Sequence, residues 1–316
     1  MTSAFEIEAT IDRLSSELDN LTIQSKHHSG NFEDEIKLVK NQLDSVWSNY
    51  CAHLDAHQVL MLARHPQRPQ GLDYIQACFD DFEMLQGDRH SGDCSALISG
   101  IATLNNKSVM VFAQQKGRTT EERLKHNFGM VKPKGYRKAK RLMALAERYA
   151  MPVITFLDSP GADAGVDAEM ANQSEAIASN MLLMSELRVP IVSVVIGEAM
   201  SGGAMALGVA DHVCMLEYAV YSVISPEGCA SILWRSADYA KQAAEAMCIT
   251  SESLLDKRLI DAVIPEPLGG AQRDYPLTTS RVKKHIIKVL DALSSCEVEH
   301  LLTQRYRKWM LSDLVE

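Results

Sequence analysis

Apolar positions in the first 60 residues recur at alternating steps of four and three, which is the spacing of one face of an α-helix. The first series contains Ile7, Ile11, Leu14, Leu18 and Leu21, and the second contains Ile36, Val39, Leu43 and Val46. The polar break HHSGN (27–31) separates the two series. The pattern predicts two amphipathic helices joined at Gly30, and residues 1–60 are predicted to be an interaction or packing arm.

The pattern changes after the proline-rich turn HPQRP (65–69), where short apolar runs begin to alternate with helical stretches. SALISGIATL and KSVMVFAQQ are predicted to form an antiparallel hairpin that turns at Asn105-Asn106. Further strands are predicted at 151–158, 189–196, 212–216 and 219–224, with helices near 136–149 and 167–187. The later strands are continuously apolar, which is typical of parallel strands covered on both faces. Residues 61–316 are therefore predicted to form one α/β domain.

Charge is unevenly distributed along the chain, which has 316 residues, 46% hydrophobic composition and a net charge of −9. This overall charge argues against nucleic acid and anionic membranes as partners. Residues 116–148 nevertheless contain eleven Lys and Arg against three Glu, a local balance of +8. The basic segment has two interpretations: a solvated helix face, or a site for a phosphorylated ligand or an acidic partner.

The cysteine pattern and the N-terminus indicate the cellular compartment. Seven cysteines occur, an odd count, without CxxC or a Cys/His ligand spacing. This predicts reduced thiols in a cytoplasmic protein and no metal in this chain. The N-terminal MTSAFEIEAT lacks the basic and apolar regions of a secretory leader, and no apolar run approaches membrane-spanning length.

Two glycine-bearing turns follow successive predicted parallel strands: DSPGADAG (158–165) and GEAMSGGA (197–204). Both are expected at the carboxyl ends of the strands, where open α/β sheets bind ligands. Glycine lets backbone N–H groups approach a ligand, and a helix N-terminus adds the positive end of its dipole. The residues leave two interpretations open, an anion hole made of amides or the close packing of a turn against the sheet.

Ser201 suggests a rival interpretation, because the segment from Ala199 to Gly203 is an Ala-x-Ser-x-Gly variant of the hydrolase nucleophile elbow. A nucleophilic serine needs a base, and His212 is the nearest histidine that follows it. The sequence does not place His212 beside Ser201. A GxGxxG fingerprint and a Walker A lysine are both absent from the sequence, which argues against those routes of dinucleotide and ATP binding.

Several longer runs resemble the alpha subunits of the bacterial acetyl-coenzyme A carboxylase carboxyltransferase. The resemblance is continuous and in the same order from about residue 60 to residue 272. Besides the two glycine turns, the runs are LARHPQRP, LDYI, GDR, QKGR, NFGM, GYRKA, QSEAIA, SVISPEGCASILW and LIDAVIPEPLGGA.

The resemblance implies a crotonase-like (ClpP/crotonase) α/β superhelix of ββα units, here with an N-terminal helical arm. It implies a separate beta subunit that carries a zinc ribbon and forms an α2β2 assembly with alpha. It also implies a biotin carboxyl carrier protein, and a biotin carboxylase that alone uses ATP. In the family reaction, the carboxyl group of carboxybiotin is transferred to acetyl-CoA to give malonyl-CoA.

The same resemblance implies roles for particular residues. Gly202 and Gly203 match the glycines whose amides form an oxyanion hole for the ureido oxygen of biotin, while the beta subunit supplies the hole for the thioester. Such a site works through preorganised donors and needs no side-chain acid or base. The substrate-binding candidates are Gly161, Ala162, Ala204, Lys116, Arg118, Arg137 and Lys138.

The chain departs from the family pattern around the proposed biotin side. Ala199-Met200 replaces the first Gly-Gly of GEGGSGGA, and Gln114 stands where histidine is usual. In the other turn, Asp163, Ala164 and Asn172 replace an aromatic residue, proline and glycine. The leading hypothesis is an active, divergent alpha subunit. The alternatives are a weakly active paralogue that serves as a partner of beta, and a stand-alone CoA hydratase or hydrolase that needs a carboxylate pair or a Ser-His pair.

Overall fold

A computed structural model describes residues 4–27 and 32–310 of the chain. The chain divides into two units between Asp55 and Ala56. The second unit thus begins at 56, slightly before the predicted boundary at 61.

The first unit is a pair of helices, α1 (Ala4–His27) and α2 (Glu33–Cys51). Ile11 and Leu14 of α1 and Val39 and Leu43 of α2 belong to one buried cluster. The two predicted amphipathic helices are therefore confirmed, because the residues of the apolar series form the cluster between them. The predicted junction at Gly30 lies outside the described residues, and the function of the helices as an interaction arm stays a prediction.

The second unit is built on one mixed sheet of eight strands. The strands are β1 (Asp80–Met84), β2 (Leu97–Leu104), β3 (Lys107–Gln114), β4 (Val153–Ser159), β5 (Ile191–Met200), β6 (His212–Leu216), β7 (Val220–Ser222) and β8 (Ala262–Ile264). They run in the order β1-β2-β3-β4-β5-β6-β8, and β7 pairs with the end of β5. β1, β2 and β3 are antiparallel, whereas the pairings from β3 onward are parallel.

Twelve helices of the second unit accompany this sheet. They are α3 (Ala56–Ala63), α4 (Gly71–Cys78), α5 (Thr120–Lys125), α6 (Pro133–Arg148), α7 (Val166–Met170), α8 (Gln173–Glu186), α9 (Ser201–Gly208), α10 (Pro226–Trp234), α11 (Ala240–Ala246), α12 (Ser251–Asp256), α13 (Tyr275–Ser294) and α14 (Val298–Met310). Every residue of β4 and β5 is buried, as expected of parallel strands covered on both faces. Among the described residues, no helix is long and apolar enough to cross a membrane.

The predicted hairpin is confirmed in its register. Leu104 pairs with Lys107, and the two residues between them, Asn105 and Asn106, have φ values of +49° and +60°. Asparagine tolerates this left-handed region, which a two-residue turn of type I′ requires at both central positions. The hairpin was therefore predictable from a local signal.

Two predicted boundaries are wrong, and both errors concern glycine or asparagine. Gly197 does not begin a turn but lies inside β5, which continues to Met200. A Cβ at 197 would lie 2.3 Å from Oδ1 of Asp158, so glycine makes room for that carboxylate. The single helix predicted near 167–187 is divided into α7 and α8, with Asn172 at φ +61° before α8.

Candidate functional site

The two glycine turns meet at the carboxyl ends of β4 and β5. Ser159 of β4 pairs with Ala199 of β5 in the sheet. Gly161, which follows β4, therefore lies near the start of α9, which follows β5. A Cβ on Gly203 would lie 2.5 Å from the carbonyl carbon of Gly161 and 2.7 Å from the nitrogen of Ala162. Glycine at 203 is therefore required by close backbone approach, which supports the packing interpretation.

The first turn of α9 also has the features of an anion site. Ser201 and Gly202 are half-buried, and Ser201 has φ +57°. Among the described residues, no side chain caps α9, and its first turn contains no acidic residue. The first N–H groups of a helix have no partner within the helix, and they carry the positive end of its dipole. Close packing and anion binding are thus compatible, because buried Gly203 and Ala204 anchor the turn that presents these amides.

A chain of ion pairs lies directly before both turns. The Lys116 ammonium is 2.6 Å from Oδ1 of Asp158 and 2.8 Å from Oε1 of Glu198. Arg64 continues the chain, because its Nε donates to Glu198 at 2.7 Å and its Nη1 to Glu227 at 2.6 Å. These residues, apart from Glu227, line a cavity of about 260 Å³ at the carboxyl ends of β3, β4 and β5.

Burial and charge act against each other in this chain. Burial disfavours the Lys116 ammonium, but Asp158 and Glu198 outweigh that effect and raise the pKa of Lys116. Burial also opposes ionisation of Glu198, but Lys116 and Arg64 outweigh it and lower the pKa of this carboxyl group. Burial raises the pKa of Asp158 even though Lys116 favours its ionised form. Lys116 therefore stays charged at neutral pH and links the ends of the two strands that precede the turns.

Gln114 connects the same two strand ends through hydrogen bonds. Its Nε2 donates to the carbonyl oxygen of Gly203 at 2.7 Å, and its Oε1 accepts from the backbone N–H of Asp158 at 2.9 Å. The side chain is fully buried. A carboxamide suits this position because it supplies one donor and one acceptor at the same time.

Comparison with known proteins identifies the family of this chain. The family model described as "Acetyl co-enzyme A carboxylase carboxyltransferase-like" matches residues 4–312. The chain belongs to this family. It is 48% identical over 305 residues to the acetyl-coenzyme A carboxylase carboxyl transferase subunit alpha of Coxiella burnetii, covering 96% of each chain. The protein of the same description from Pseudomonas entomophila is also 48% identical, with 96% of this chain and 97% of that one covered.

Solved structures of low sequence identity confirm the crotonase-like carboxyltransferase fold. A chain of a Pseudomonas malonate decarboxylase hetero-tetramer in complex with coenzyme A is 18% identical, with a TM-score of 0.58 over 75% of this chain and 92% of that one. The beta subunit of geranyl-CoA carboxylase from P. aeruginosa is 14% identical, with a TM-score of 0.57 over 78% of this chain and 46% of that one. At these identities the comparison establishes the fold alone.

The residues that depart from the carboxyltransferase family pattern are accommodated locally in this chain. The side chains of Ala199 and Met200 are fully buried, so they do not project into the solvent beside α9. Asn172 replaces a glycine at a left-handed φ, which asparagine adopts more readily than most residues. Asp163 accepts the Gly165 N–H at 2.9 Å and so closes its own turn. Gln114 makes two hydrogen bonds, which a neutral imidazole, with one donor and one acceptor, is also equipped to make.

The serine-nucleophile interpretation is not supported by the geometry. His212 begins β6 and is level with Val192, near the start of β5, whereas Ser201 follows the end of that strand. Extended chain of this length spans roughly 25 Å. His212 therefore lies at the opposite end of the sheet from Ser201 and does not serve as its base.

Most of the basic candidates bind carboxylates of the same chain. Arg118 is half-exposed and pairs with Asp73, while Arg137 donates to Asp88 at 3.2 Å. Lys138 is 1% exposed, and its ammonium contacts Asp93 at 2.7 Å. Arg118 and Lys138 line one cavity of about 380 Å³, which shares no lining residue with the Lys116 cavity. The structure thus does not bring the four residues to one site, and their role in substrate binding stays a prediction.

Sequence reasoning missed Asp158, Glu198 and Arg64 as members of the site, and it placed Gln114 near the site without assigning its role. The signal was present in the runs that carry the family resemblance, because those runs contact one another. Arg64 of LARHPQRP binds Glu227 of SPEG, and Asp88 of GDR binds Arg137 of GYRKA. The order of the runs along the chain does not indicate which of them make contact.

Proposed function

We propose that this chain is the alpha subunit of an acetyl-CoA carboxylase carboxyltransferase. It transfers the carboxyl group from carboxybiotin, held on a biotin carboxyl carrier protein, to acetyl-CoA and forms malonyl-CoA, the first committed step of fatty acid synthesis. The observation that carries the proposal is the family match over residues 4–312 together with the accessible first turn of α9. The amides of this turn supply the preorganised donors that the reaction requires.

The residues present fit the biotin ureido group as an anion-binding turn. When bound, carboxybiotin would supply an activated carboxyl group and a ureido oxygen that becomes negatively charged during transfer. The backbone N–H groups of Gly202 and Gly203 donate toward this charge, and the dipole of α9 adds to the attraction. Gly161 and Ala162 support the turn by packing against Gly203. Ala204 is fully buried beneath it.

The ion-pair chain positions this turn in the proposed mechanism. Lys116 holds Asp158 and Glu198 immediately before the two glycine turns, and Gln114 binds Gly203 itself. A donor that is displaced by about 1 Å loses much of its effect on the rate. Lys116 and Gln114 are therefore positioning residues of the oxyanion hole. Arg118 remains a candidate for contact with the coenzyme A phosphates because it is half-exposed.

A partner chain is expected for this function, and the surface of α10 supports it. Ile232 and Leu233 near the end of α10 are 71% and 64% exposed. Trp234 lies beside Tyr239 of the following turn, with ring centroids 6.1 Å apart, and both rings are also exposed. A cluster of exposed apolar side chains such as this one is typical of a protein–protein interface. We propose that it contacts the zinc-bearing beta subunit in an α2β2 assembly, in the cytoplasm, with biotin carboxylase using ATP separately.

The test is to co-purify the chain with candidate beta subunits and to measure malonyl-CoA-dependent carboxylation of free biotin. Activity that requires both subunits is expected. An assembled but inactive complex would instead support the paralogue that serves only as a partner of beta. Activity of this chain alone on a CoA thioester would support the stand-alone enzyme.

A further inference from the structure

Three metal-binding side chains meet at the end of the sheet opposite the glycine turns. His212 and Cys214 belong to β6 and, being two residues apart, point to the same face of the sheet. His285 of α13 packs against them, with 3.0 Å between its Nε2 and the Nε2 of His212. The two imidazole nitrogens and the Cys214 sulfur all lie within 4.8 Å of one another.

We propose that His212, Cys214 and His285 bind one zinc ion. Two imidazoles and a thiolate favour Zn²⁺ over the hard cations Mg²⁺ and Ca²⁺, which prefer oxygen ligands. At Zn–N distances of about 2.0 Å and Zn–S of about 2.3 Å, tetrahedral ligand atoms lie roughly 3.3–3.6 Å apart. The two Nε2 atoms are 3.0 Å apart and all three ligand atoms lie within 4.8 Å of one another, so side-chain movements would complete the site. Both histidines are half-buried, which leaves solvent access for a water molecule as the fourth ligand.

The proton balance of binding follows from the contacts. The thiol of Cys214 lies 3.5 Å from the carbonyl oxygen of Ser193 and donates to it. Zinc takes the thiolate, so this proton leaves to solvent when the Zn–S bond forms. In the metal-free protein one Nε2 donates to the other. Both Nε2 atoms become ligands, so each ring carries its proton on Nδ1 in the bound form.

The proposed ion has a structural role, since it connects β6 to α13 far from the amides of α9. The sequence did not reveal it because the third ligand comes from a helix about 70 residues after the other two. The expectation that this chain binds no metal rested on ligand spacing along the sequence. Spacing does not detect ligands that only the tertiary fold brings together.

Metal titration of the intact, tag-free chain tests the proposal. After treatment with EDTA and dialysis, the chain is titrated with ZnCl2 by calorimetry and with CoCl2 by visible absorption. We expect one ion per chain, release of one proton per zinc ion, and the intense absorption of tetrahedral Co²⁺ with a thiolate ligand. His285→Gln and Cys214→Ser should each weaken Zn²⁺ binding more than about 100-fold, because even outer-shell changes cost 10–100-fold.

Cys296→Ser is the matched control, because Cys296 is an exposed thiol outside the cluster. It should leave both titrations unchanged. His285→Gln covers the possibility that the buried Cys214→Ser variant does not fold. The proposal is wrong if the native chain gives no thiolate-Co²⁺ spectrum, or if that spectrum persists in folded His285→Gln. In either case the His212–His285 contact is an ordinary hydrogen bond between two half-buried side chains.

Discussion

At the scale of single residues, the candidate site depends on buried polar groups that satisfy one another. Lys116 is the centre of this arrangement because it faces two carboxylates whose ionised forms are disfavoured by burial. Removing one partner of such a group leaves uncompensated charge in a place of restricted hydration. Removing one partner of an exposed ion pair should have a smaller effect, and the chain contains such a pair for comparison. Lys107 pairs with Asp291 on the surface, where both side chains are 54% exposed.

We expect Lys116→Met to lower the free energy of unfolding by about 3 kcal/mol at neutral pH. Lys107→Met should change it by less than about 1 kcal/mol. Loss of the ammonium raises the pKa of both Asp158 and Glu198 in the folded variant. The folded variant therefore binds protons more readily than its unfolded chain as the pH falls. Its loss of stability relative to the native chain should shrink toward about pH 4. Urea unfolding of both variants between neutral and acidic pH measures this. Equal effects of the two substitutions, or a deficit that grows in acid, would contradict the prediction.

Gln114 gives a second residue-scale prediction, because its two hydrogen bonds have different requirements. Gln114→Leu leaves the Asp158 N–H without its acceptor and should cost about 1–3 kcal/mol of stability. It should also lower turnover with beta at least about tenfold, since α9 is no longer held at Gly203. Gln114→His supplies one donor and one acceptor and should retain more of both. Unfolding and biotin carboxylation assays compare the pair, and a histidine variant no better than leucine would argue against the bridging role.

At the scale of elements, α9 is placed by backbone contact with the turn after β4. Any side chain at 203 collides with the backbone of Gly161 and Ala162. At Gly202, a Cβ meets only Cδ1 of Ile177 within 3.4 Å, at 3.2 Å, and that is the end of a flexible side chain. The two neighbouring glycines therefore differ in function. Gly203 determines where the helix lies, whereas Gly202 tolerates a small side chain and acts only through its amide in the proposed mechanism.

We expect Gly203→Ala to cost about 1–3 kcal/mol of stability through overpacking. It should lower turnover roughly 100-fold, because the amide donors leave their positions. Gly202→Ala and Ser201→Ala should cost little in either respect, since both keep the N–H groups. Measurements of turnover and of assembly with beta separate a lost donor geometry from a lost complex. Near-normal turnover in an assembled Gly203→Ala complex would contradict the oxyanion-hole assignment, and a complete loss in folded Ser201→Ala would contradict its reliance on amides.

Secondary-structure elements could be predicted where the sequence signal was local. They could not be predicted where the structure depended on contact with residues distant in the sequence. The hairpin at Asn105-Asn106 and the apolar runs of β4, β5 and β6 follow from residue type and order. Gly197 was assigned to a turn because its partner, the carboxylate of Asp158, comes from another strand. The inward direction of Lys138 was equally hidden, since its acceptors are Asp93 and the carbonyl oxygens of Cys94 and Leu97. A count of charges along a helix does not reveal such contacts.

At the scale of the whole molecule, several cations of the basic segment connect elements of this chain, while Arg123, Lys125, Lys140 and Arg148 are exposed. Arg137 binds Asp88 and the carbonyl oxygen of Ala171, and Arg141 binds the carbonyl oxygen of Gly87. The contacts with Asp88 and Gly87 fasten α6 to the loop after β1, and the contact with Ala171 fastens it to the segment between α7 and α8. Substitution of Arg137 and Lys138 would therefore disturb the fold before it reported on coenzyme A binding. The exposed apolar side chains at the end of α10 are a candidate surface for a large partner.

We expect Leu233→Glu to weaken assembly with the beta subunit more than about tenfold. Burying a new charge in an apolar interface costs more than the roughly 1 kcal/mol of a typical contact. Tyr149→Glu is the matched control, since both side chains are 64% exposed and both variants gain one negative charge. Tyr149 follows α6 and precedes the start of β4, so it lies at the end of the sheet away from the glycine turns. Sedimentation of each variant with beta, after circular dichroism confirms folding, gives the comparison. Equal weakening by the two variants would indicate a general charge effect, and no weakening by Leu233→Glu would place the interface elsewhere on the chain.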